Sequence, residues 1–360
     1  MLIRLEPRGG PSRWWAYGSP ALALGLTLLA TAVIFAALGK DPARSLYTYF
    51  VAPLASTTAR PELLVKAAPL VLIAVGLSLG FRANVWNIGA EGQYTLGAIA
   101  GGGVALFFSE SESPLLLPAM ILAGAVGGMA WAAIPAFLRT RFNANEILTS
   151  LMLTYVAQQL LIYLVVGPWK DPEGYGFPQS RLFQEAATSP ILVPGTRIHL
   201  GVLAAFIAVG LGWLVLKKSA IGFQFRVIGA APRAARYAGF NETRLIWLLL
   251  LVSGALAGLA GLFEVAGPVG QLTPQISPGY GFTAIIVAFL GRLNPVGVLI
   301  AGLVLALSYL GGEAAQIELG MPNAVTGIFQ GILLFFLLAC DLLILYRPRV
   351  VRAKPIEAVS

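Results

Sequence analysis

The sequence predicts an all-α integral membrane protein of about ten transmembrane helices, two of them broken, with both termini cytoplasmic. Three observations carry that prediction. Hydrophobic residues make up 58% of the 360 residues, and Asp, Glu, Lys and Arg together only 11%, less than half the share of about 25% in soluble domains. The mean hydropathy is +0.81. Eight apolar stretches approach the roughly 20 residues that a helix needs to cross a bilayer. Two more have the same character but are interrupted by glycine, proline and polar residues. With 24 basic and 16 acidic residues, the chain cannot clothe a soluble surface, so the solvent for most of it is lipid.

The uninterrupted spans fall at 19–39, 63–81, 115–138, 147–166, 200–216, 245–266, 296–310 and 325–346. The first is basic before its apolar run, as a signal peptide is, but that run exceeds the 7–15 residues of a signal core, so a retained span is expected. The interrupted spans fall at 87–108 and 276–290, the third and eighth in order. The chain then reads as one transmembrane domain over residues 1–360, with a cytoplasmic N-terminal segment (1–18), a cytoplasmic loop (217–244) and a cytoplasmic tail (347–360). Alternating ten spans from a cytoplasmic N-terminus sorts the 24 Lys and Arg residues into seventeen inside and seven outside, the outer group being Lys40, Arg44, Arg60, Lys66, Lys170, Arg181 and Arg197. That asymmetry obeys the positive-inside rule and explains the net charge of +8 without nucleic acid.

Other chemistries are excluded by count. One cysteine, Cys340, forms no intramolecular disulfide, and with one histidine, His199, it makes no Cys/His metal cluster. A single histidine also leaves little room for Ser-His or Cys-His catalysis. His199, at the start of a span, reads as an interface residue, and Trp14 and Trp15 as an interfacial anchor. No phosphate-binding Gly-rich loop with its Lys-Ser/Thr is present; the Gly39-Lys40 pair is followed by Asp41. Any ATP drive must therefore come from another chain.

The loops and breaks organise what remains. The outer loop 167–199 holds five prolines and mixed charges. The inner loop 217–244 sets Lys217, Lys218, Arg226, Arg233, Arg236 and Arg244 against the one acid Glu242. A short helix over 231–237 is expected there, with Pro232 in its first turn and Gly239 after its end. The two interrupted spans sit at corresponding places in the two halves, the strongest sequence pointer to a transporter built from repeats. Backbone groups freed at such breaks must face protein or a wet cavity.

Carboxylates within spans are costly, and they mark candidate function. Glu91, with Asn87 and Gln93 beside it, makes a polar cluster that is either part of a solute passage or a buried network tying helices together. Glu146 is most simply a first-turn residue complementing a helix dipole. Glu264 ends its span near the outer surface, and Asp341 lies near the interface beside Arg347 and Arg349. Gly254-Ala-Leu-Ala-Gly258, with Gly261 after it, is a small-residue face for close helix packing.

Two stretches resemble a known family. Asn84-Val-Trp-Asn-Ile-Gly-Ala-Glu-Gly-Gln93 resembles the signature of the larger of the two permease subunits of bacterial nucleoside ABC importers. Gly229-Ala-Ala-Pro-Arg-Ala-Ala-Arg-Tyr-Ala-Gly-Phe240 is similar to the cytoplasmic coupling segment of the wider ribose and branched-chain amino acid permease superfamily. Asn143-Ala-Asn-Glu-Ile-Leu-Thr-Ser-Leu-Met-Leu153 and Gly279-Tyr-Gly-Phe-Thr-Ala-Ile285 are similar too, so the resemblance runs over roughly 63–345. It implies a multi-pass protein of the bacterial cytoplasmic (inner) membrane, working with P-loop ATPase subunits, a second permease chain and an external substrate-binding lipoprotein. ATP and Mg would sit on the ATPases and no cofactor on this chain, which is no enzyme.

Under that resemblance, Ile228, Gly229, Pro232, Arg233, Arg236, Tyr237 and Gly239 form the ATPase-coupling element. Lys170, Asp171, Glu173, Arg181, Glu185 and Arg197 are candidates to dock the receptor. The solute passage would be lined by Asn87, Glu91, Gln93, Tyr94, Phe263 and Phe282, the aromatics stacking on a base at about 1–3 kcal/mol per base. A rival reading is a stand-alone ion-coupled transporter in which Glu91 or Glu264 binds a proton or sodium ion.

Overall fold

The structure is a computed structural model describing residues 2–10, 12–174 and 176–351. It contains fourteen α-helices among the described residues: α1 (Arg13–Ala37), α2 (Pro42–Leu46), α3 (Ala52–Ala55), α4 (Ala59–Arg82), α5 (Ala90–Phe107), α6 (Leu116–Phe142), α7 (Glu146–Val166), α8 (Leu200–Lys218), α9 (Ala220–Ala230), α10 (Pro232–Tyr237), α11 (Glu242–Glu264), α12 (Tyr280–Leu290), α13 (Pro295–Leu319) and α14 (Ala324–Leu345). Eight of these are long and apolar enough to cross a membrane. Helices α5 and α12 supply the two interrupted spans, so the architecture is the all-α membrane fold expected. The α12 helix begins four residues later than the apolar run because Ser277–Gly279 stays unwound. Residues 352–360, including the tail cations Arg352 and Lys354, lie outside the described residues.

The chain divides into two compact units, residues 1–52 with 311–360, and residues 53–310. In the first, α1 packs along α14, and the Ser19 hydroxyl donates to Asp341 Oδ1 at 2.8 Å. Asp341 thus ties two helices together, while Arg347 and Arg349 pair with Glu6 at 3.4 and 3.1 Å. Tyr49 and Phe35, both fully buried, form an aromatic core with Phe50 and Phe329. Strands β1 (Leu2–Pro7) and β2 (Tyr346–Val351) pair antiparallel, Leu2 opposite Val351 and Pro7 opposite Tyr346. This pairing sets the segment before α1 beside the segment after α14.

In the second unit α4 is deeply enclosed, 83% of its apolar window being buried, with α8, α11 and α12 packed against it. Helix α11 in turn approaches α5 and α6 to backbone contact through glycine. A Cβ on Gly97 would fall 2.2 Å from Gly258 Cα, one on Gly128 2.1 Å from Gly254 O, and one on Gly261 2.0 Å from Tyr94 O. The small-residue face read at 254–261 is this packing surface. Without a hydrophobic force between helices in lipid, such close approach and its dispersion contacts supply the association.

Asparagine caps three of these helix ends. Asn143 ends α6 in the left-handed region at φ 52°, a stop suited to Asn. Asn145 starts α7 by accepting from the Ile147 and Leu148 N–H groups, and Asn241 starts α11 by accepting from Arg244 N. The outer loop 167–199 lies folded along the segment after α11: Ser180 N donates to Leu272 O at 2.9 Å, Phe183 N to Gly270 O at 2.8 Å and Ser189 N to Ala266 O at 2.6 Å.

Candidate functional site

The site grows from the seven residues between α4 and α5. Helix α4 stops at Ala83 because Asn84 turns left-handed, at φ 58°, and Val85 N returns to Gly80 O at 2.9 Å. The chain then runs unwound, and largely buried, to Gly89. Its freed donors are met one by one, as burial in a membrane protein demands. Trp86 N donates to Glu146 Oε1 at 3.3 Å, Ile88 N to Ser150 Oγ at 3.2 Å and Gly89 N to Asn87 Oδ1 at 3.1 Å. Glu146 also pairs with Arg139, so beyond its first-turn position in α7 it clamps the break. Glycine is required here: a Cβ on Gly89 would lie 2.6 Å from Ser150 O, and one on Gly92 2.8 Å from Thr154 Cα.

Asn87 is anchored at the midpoint of α11. Its Nδ2 donates to Gln93 Oε1 at 2.8 Å and to Ser253 Oγ at 2.9 Å, and its Oδ1 accepts from Gln93 Nε2 at 3.0 Å as well as from Gly89 N. Both donors and both lone pairs of the Asn87 amide are thereby filled. Of the two readings of this cluster, Asn87 and Gln93 thus form the buried network, and in this conformation Asn87 offers a solute no polar atom.

Glu91 differs. It is 2% exposed and its Oε2 accepts from Gly281 N, in the first turn of α12, at 2.6 Å. The Ser277 hydroxyl donates to the same carboxylate, and Ser277 Oγ in turn accepts from Gly279 N and Tyr280 N. A Cβ on Gly281 would fall 2.3 Å from Glu91 N, so the N-termini of the two broken helices meet backbone to backbone with Glu91 between them. Both ends carry partial positive charge, and the carboxylate lies between them, bonded to the α12 end.

One turn along α5 from Glu91 lies a tyrosine cluster. Tyr94 and Tyr280 meet edge to face at 6.2 Å, Tyr280 and Tyr309 at 5.3 Å, and Tyr309 Oη shares a 2.8 Å hydrogen bond with Thr283 Oγ1. Tyr94 is fully buried, yet its hydroxyl has no partner among the described residues. Leaving such a group unmet costs about 1–3 kcal/mol. Phe263 is buried near His199, whereas Phe282, in the first turn of α12, is 38% exposed. His199 is itself buried, its ring filling the space beside Gly201 and Gly267 and its Nδ1 bonding Arg197 O at 3.1 Å. The expected interface position is thus corrected: these glycines leave a ring-sized gap inside the protein.

At the outer end of α4, Arg197 Nε pairs with Glu62 Oε1 at 3.0 Å over a cleft of about 490 Å³ that includes Thr57, Thr58, Thr196 and Leu310. Two further outer clefts carry opposite charge, one lined by Glu110, Glu112 and Glu185, the other by Trp169, Lys170 and Arg181.

At the inner end the loop 217–244 is structured. Ser219 caps α9 by accepting from Gly222 N at 3.0 Å, and α9 buries Phe225 and Ile228 against Ala83, Val85 and Leu249. Gly229 rests on the end of α4, where a Cβ would meet Arg82 O at 2.0 Å. Helix α10 begins at Pro232 and closes on Gly239 at φ 77°. It buries only Ala235; Arg233, Arg236 and Tyr237 are exposed, Tyr237 by 94%, and Arg236 pairs with Glu242 at 3.0 Å. Trp86, next to Val85, packs at a tilt on Phe81 and stacks on Phe289 near the end of α12, and Arg82 Nε donates to Leu293 O at 2.8 Å. The projecting helix is therefore packed, through a few residues, onto both broken helices. Sequence reasoning missed Ser253, Ser277 and the Trp86 stack, because a lone serine or aromatic in a span carries no signal of its distant partner.

Discontinuous helices meeting at their N-termini, on a scaffold of glycine-packed spans, are the architecture of polytopic transport proteins. The family model described as "Branched-chain amino acid transport system / permease component" matches residues 61–338, and the chain belongs to that family. It is 40% identical over 96% of its length, and 93% of the relative's, to a glucose ABC transporter permease of Haloferax volcanii. It is 33% identical to a guanosine ABC transporter permease of Bacillus subtilis, over 76% of this chain and 79% of that one. It is 26% identical to a nucleoside ABC transporter permease of Lactococcus lactis, over 95% and 96%. No solved structure matches. The chain is an ABC transporter permease, a multi-pass transport subunit of the cytoplasmic membrane rather than an enzyme. A permease of this class works with ATPase and substrate-binding partners, and the stand-alone ion-coupled reading falls away.

Proposed function

We propose that this permease carries a neutral, hydroxyl-bearing solute of the nucleoside or sugar class inward by alternating access, driven by ATPase partners. The observation that carries the reading is Glu91. Half-helix N-termini at mid-membrane are where transporters receive anionic substrate groups; here the protein's own carboxylate fills that place, so an anionic or zwitterionic solute gains nothing there. Tyr94, Phe263 and Phe282 are assigned to the aromatic lining, and Asn87 and Gln93 to the frame that holds Glu91. ATP closure of the partner pair moves the element made by Ile228, Gly229, Pro232, Arg233, Arg236, Tyr237 and Gly239, and α4, α5 and α12 move with it. A second, non-identical permease chain completes the passage, and an external lipoprotein receptor docks on the charged outer clefts.

Uptake of labelled guanosine, adenosine, glucose, ribose, leucine and glutamate by the transporter in proteoliposomes tests this. Uptake of a hydroxylated neutral probe, with loss of at least tenfold in Glu91→Ala, is expected. Preference for leucine or glutamate would overturn the solute class, and unchanged uptake in Glu91→Ala would remove Glu91 from the passage and its support.

A further inference from the structure

A second feature of the passage concerns what recognises the solute, and it rests on the reading just given. Tyr94 is fully buried and its hydroxyl is unpartnered among the described residues. Around it stand Glu264, Tyr280, Glu91 and Tyr309, with Thr283 hydrogen-bonded to Tyr309. Tyr280 and Thr283 are buried in the first turns of α12 and Tyr309 lies along α13. The place is one helical turn from the junction of the two helix N-termini, where α12 meets α5 through the Glu91 and Ser277 contacts and close packing at Gly281. Phenylalanine would serve the packing equally well. A hydroxyl kept there unmet by its neighbours is suited to a partner that comes and goes.

We propose that the Tyr94 hydroxyl hydrogen-bonds a ring hydroxyl of the transported solute, in a transient site bounded by the faces of Tyr280 and Tyr309. The chemistry is that of polyol recognition, in which aromatic faces pack on the ring's C–H surface and a placed polar group reads one hydroxyl. Groups built to meet a substrate hydroxyl reject the analogue that lacks it, because they are then left unpaired. The hydroxyl's contribution is thus to selection among neutral rings, a task that the carboxylate at the helix junction does not perform.

Tyr94→Phe tests this in the transporter isolated with its natural partners and reconstituted in proteoliposomes. Two quantities are read: the melting temperature, and uptake of guanosine and glucose against their single-deoxy analogues. The variant is expected to melt at the same temperature or higher. It should carry the parent solute at least tenfold more slowly. The wild type should disfavour one deoxy analogue, and the variant should lose that discrimination. A lower melting temperature, which would mean that the hydroxyl has an internal partner, overturns the proposal. So does hydroxylated-probe uptake with unchanged rate and unchanged analogue discrimination, which leaves the solute class standing. Uptake of none of the hydroxylated probes overturns both.

Discussion

Gln93 and Asn87 exchange two amide hydrogen bonds at 2.8 and 3.0 Å in a place that water does not reach, both being no more than 2% exposed. Removing one partner strands the other, at about 1–3 kcal/mol for each buried group left unmet. Gln93→Ala is therefore expected to lower thermal stability in nanodiscs by that order, through the break between α4 and α5 and not through the solute. A melting curve superimposable on wild type would show that the network does not hold the break. At this scale the sequence was informative about residue type and silent about partners. Asn87, Glu91 and Gln93 stand out because three polar groups in an apolar span demand satisfaction. That two of them satisfy each other, and that the third reaches Gly281, 190 residues away, is a matter of three-dimensional packing alone.

The element that projects from the membrane domain is α10, and its sequence announces it: Pro232 at the first helical position and Gly239 just past the end are the usual start and stop. Arg233 and Arg236 are exposed, and the ion pair of Arg236 with Glu242 is itself solvent-exposed, where such pairs contribute little to stability, about 0–1 kcal/mol. Arg233→Glu with Arg236→Glu is thus expected to leave the chain folded while ATP-driven uptake falls at least tenfold. Intact assembly and intact uptake in that double variant would withdraw the coupling role. The expected helix over 231–237 and the observed Pro232–Tyr237 agree because local chemistry sets both ends. What local chemistry could not supply is α9, whose Gly229 lies against the Arg82 backbone and so joins the projecting helix to the broken segment.

For the whole molecule, the missing ATP site and the exposed α10 imply company. Gentle extraction of the tagged chain from its native membrane is expected to bring down a P-loop ATPase together with a second, different permease chain. Recovery of a single permease species with the ATPase would replace the heterodimer by a homodimer, and reproducible isolation alone would contradict dependence on an ATPase. The glycine-packed core formed by α5, α6 and α11, centred on Gly97, Gly128 and Gly258, leaves those helices no room to separate by side-chain rearrangement.

By itself the sequence determined the lipid solvent, the long apolar helices, the two breaks and the projecting helix. Each depends on composition, on the length of apolar runs, or on residues within one turn of each other, and these are properties of the chain read in order. The tertiary structure alone decided which polar groups in the spans are occupied and which are open. Asn87 turned inward to Gln93 and Ser253, Glu91 became the link between two helix N-termini, and Tyr94 was left with an unmet hydroxyl. Hydrogen bonding in lipid must be settled inside the protein, and where each partner lies depends on how distant helices cross, which no local pattern encodes.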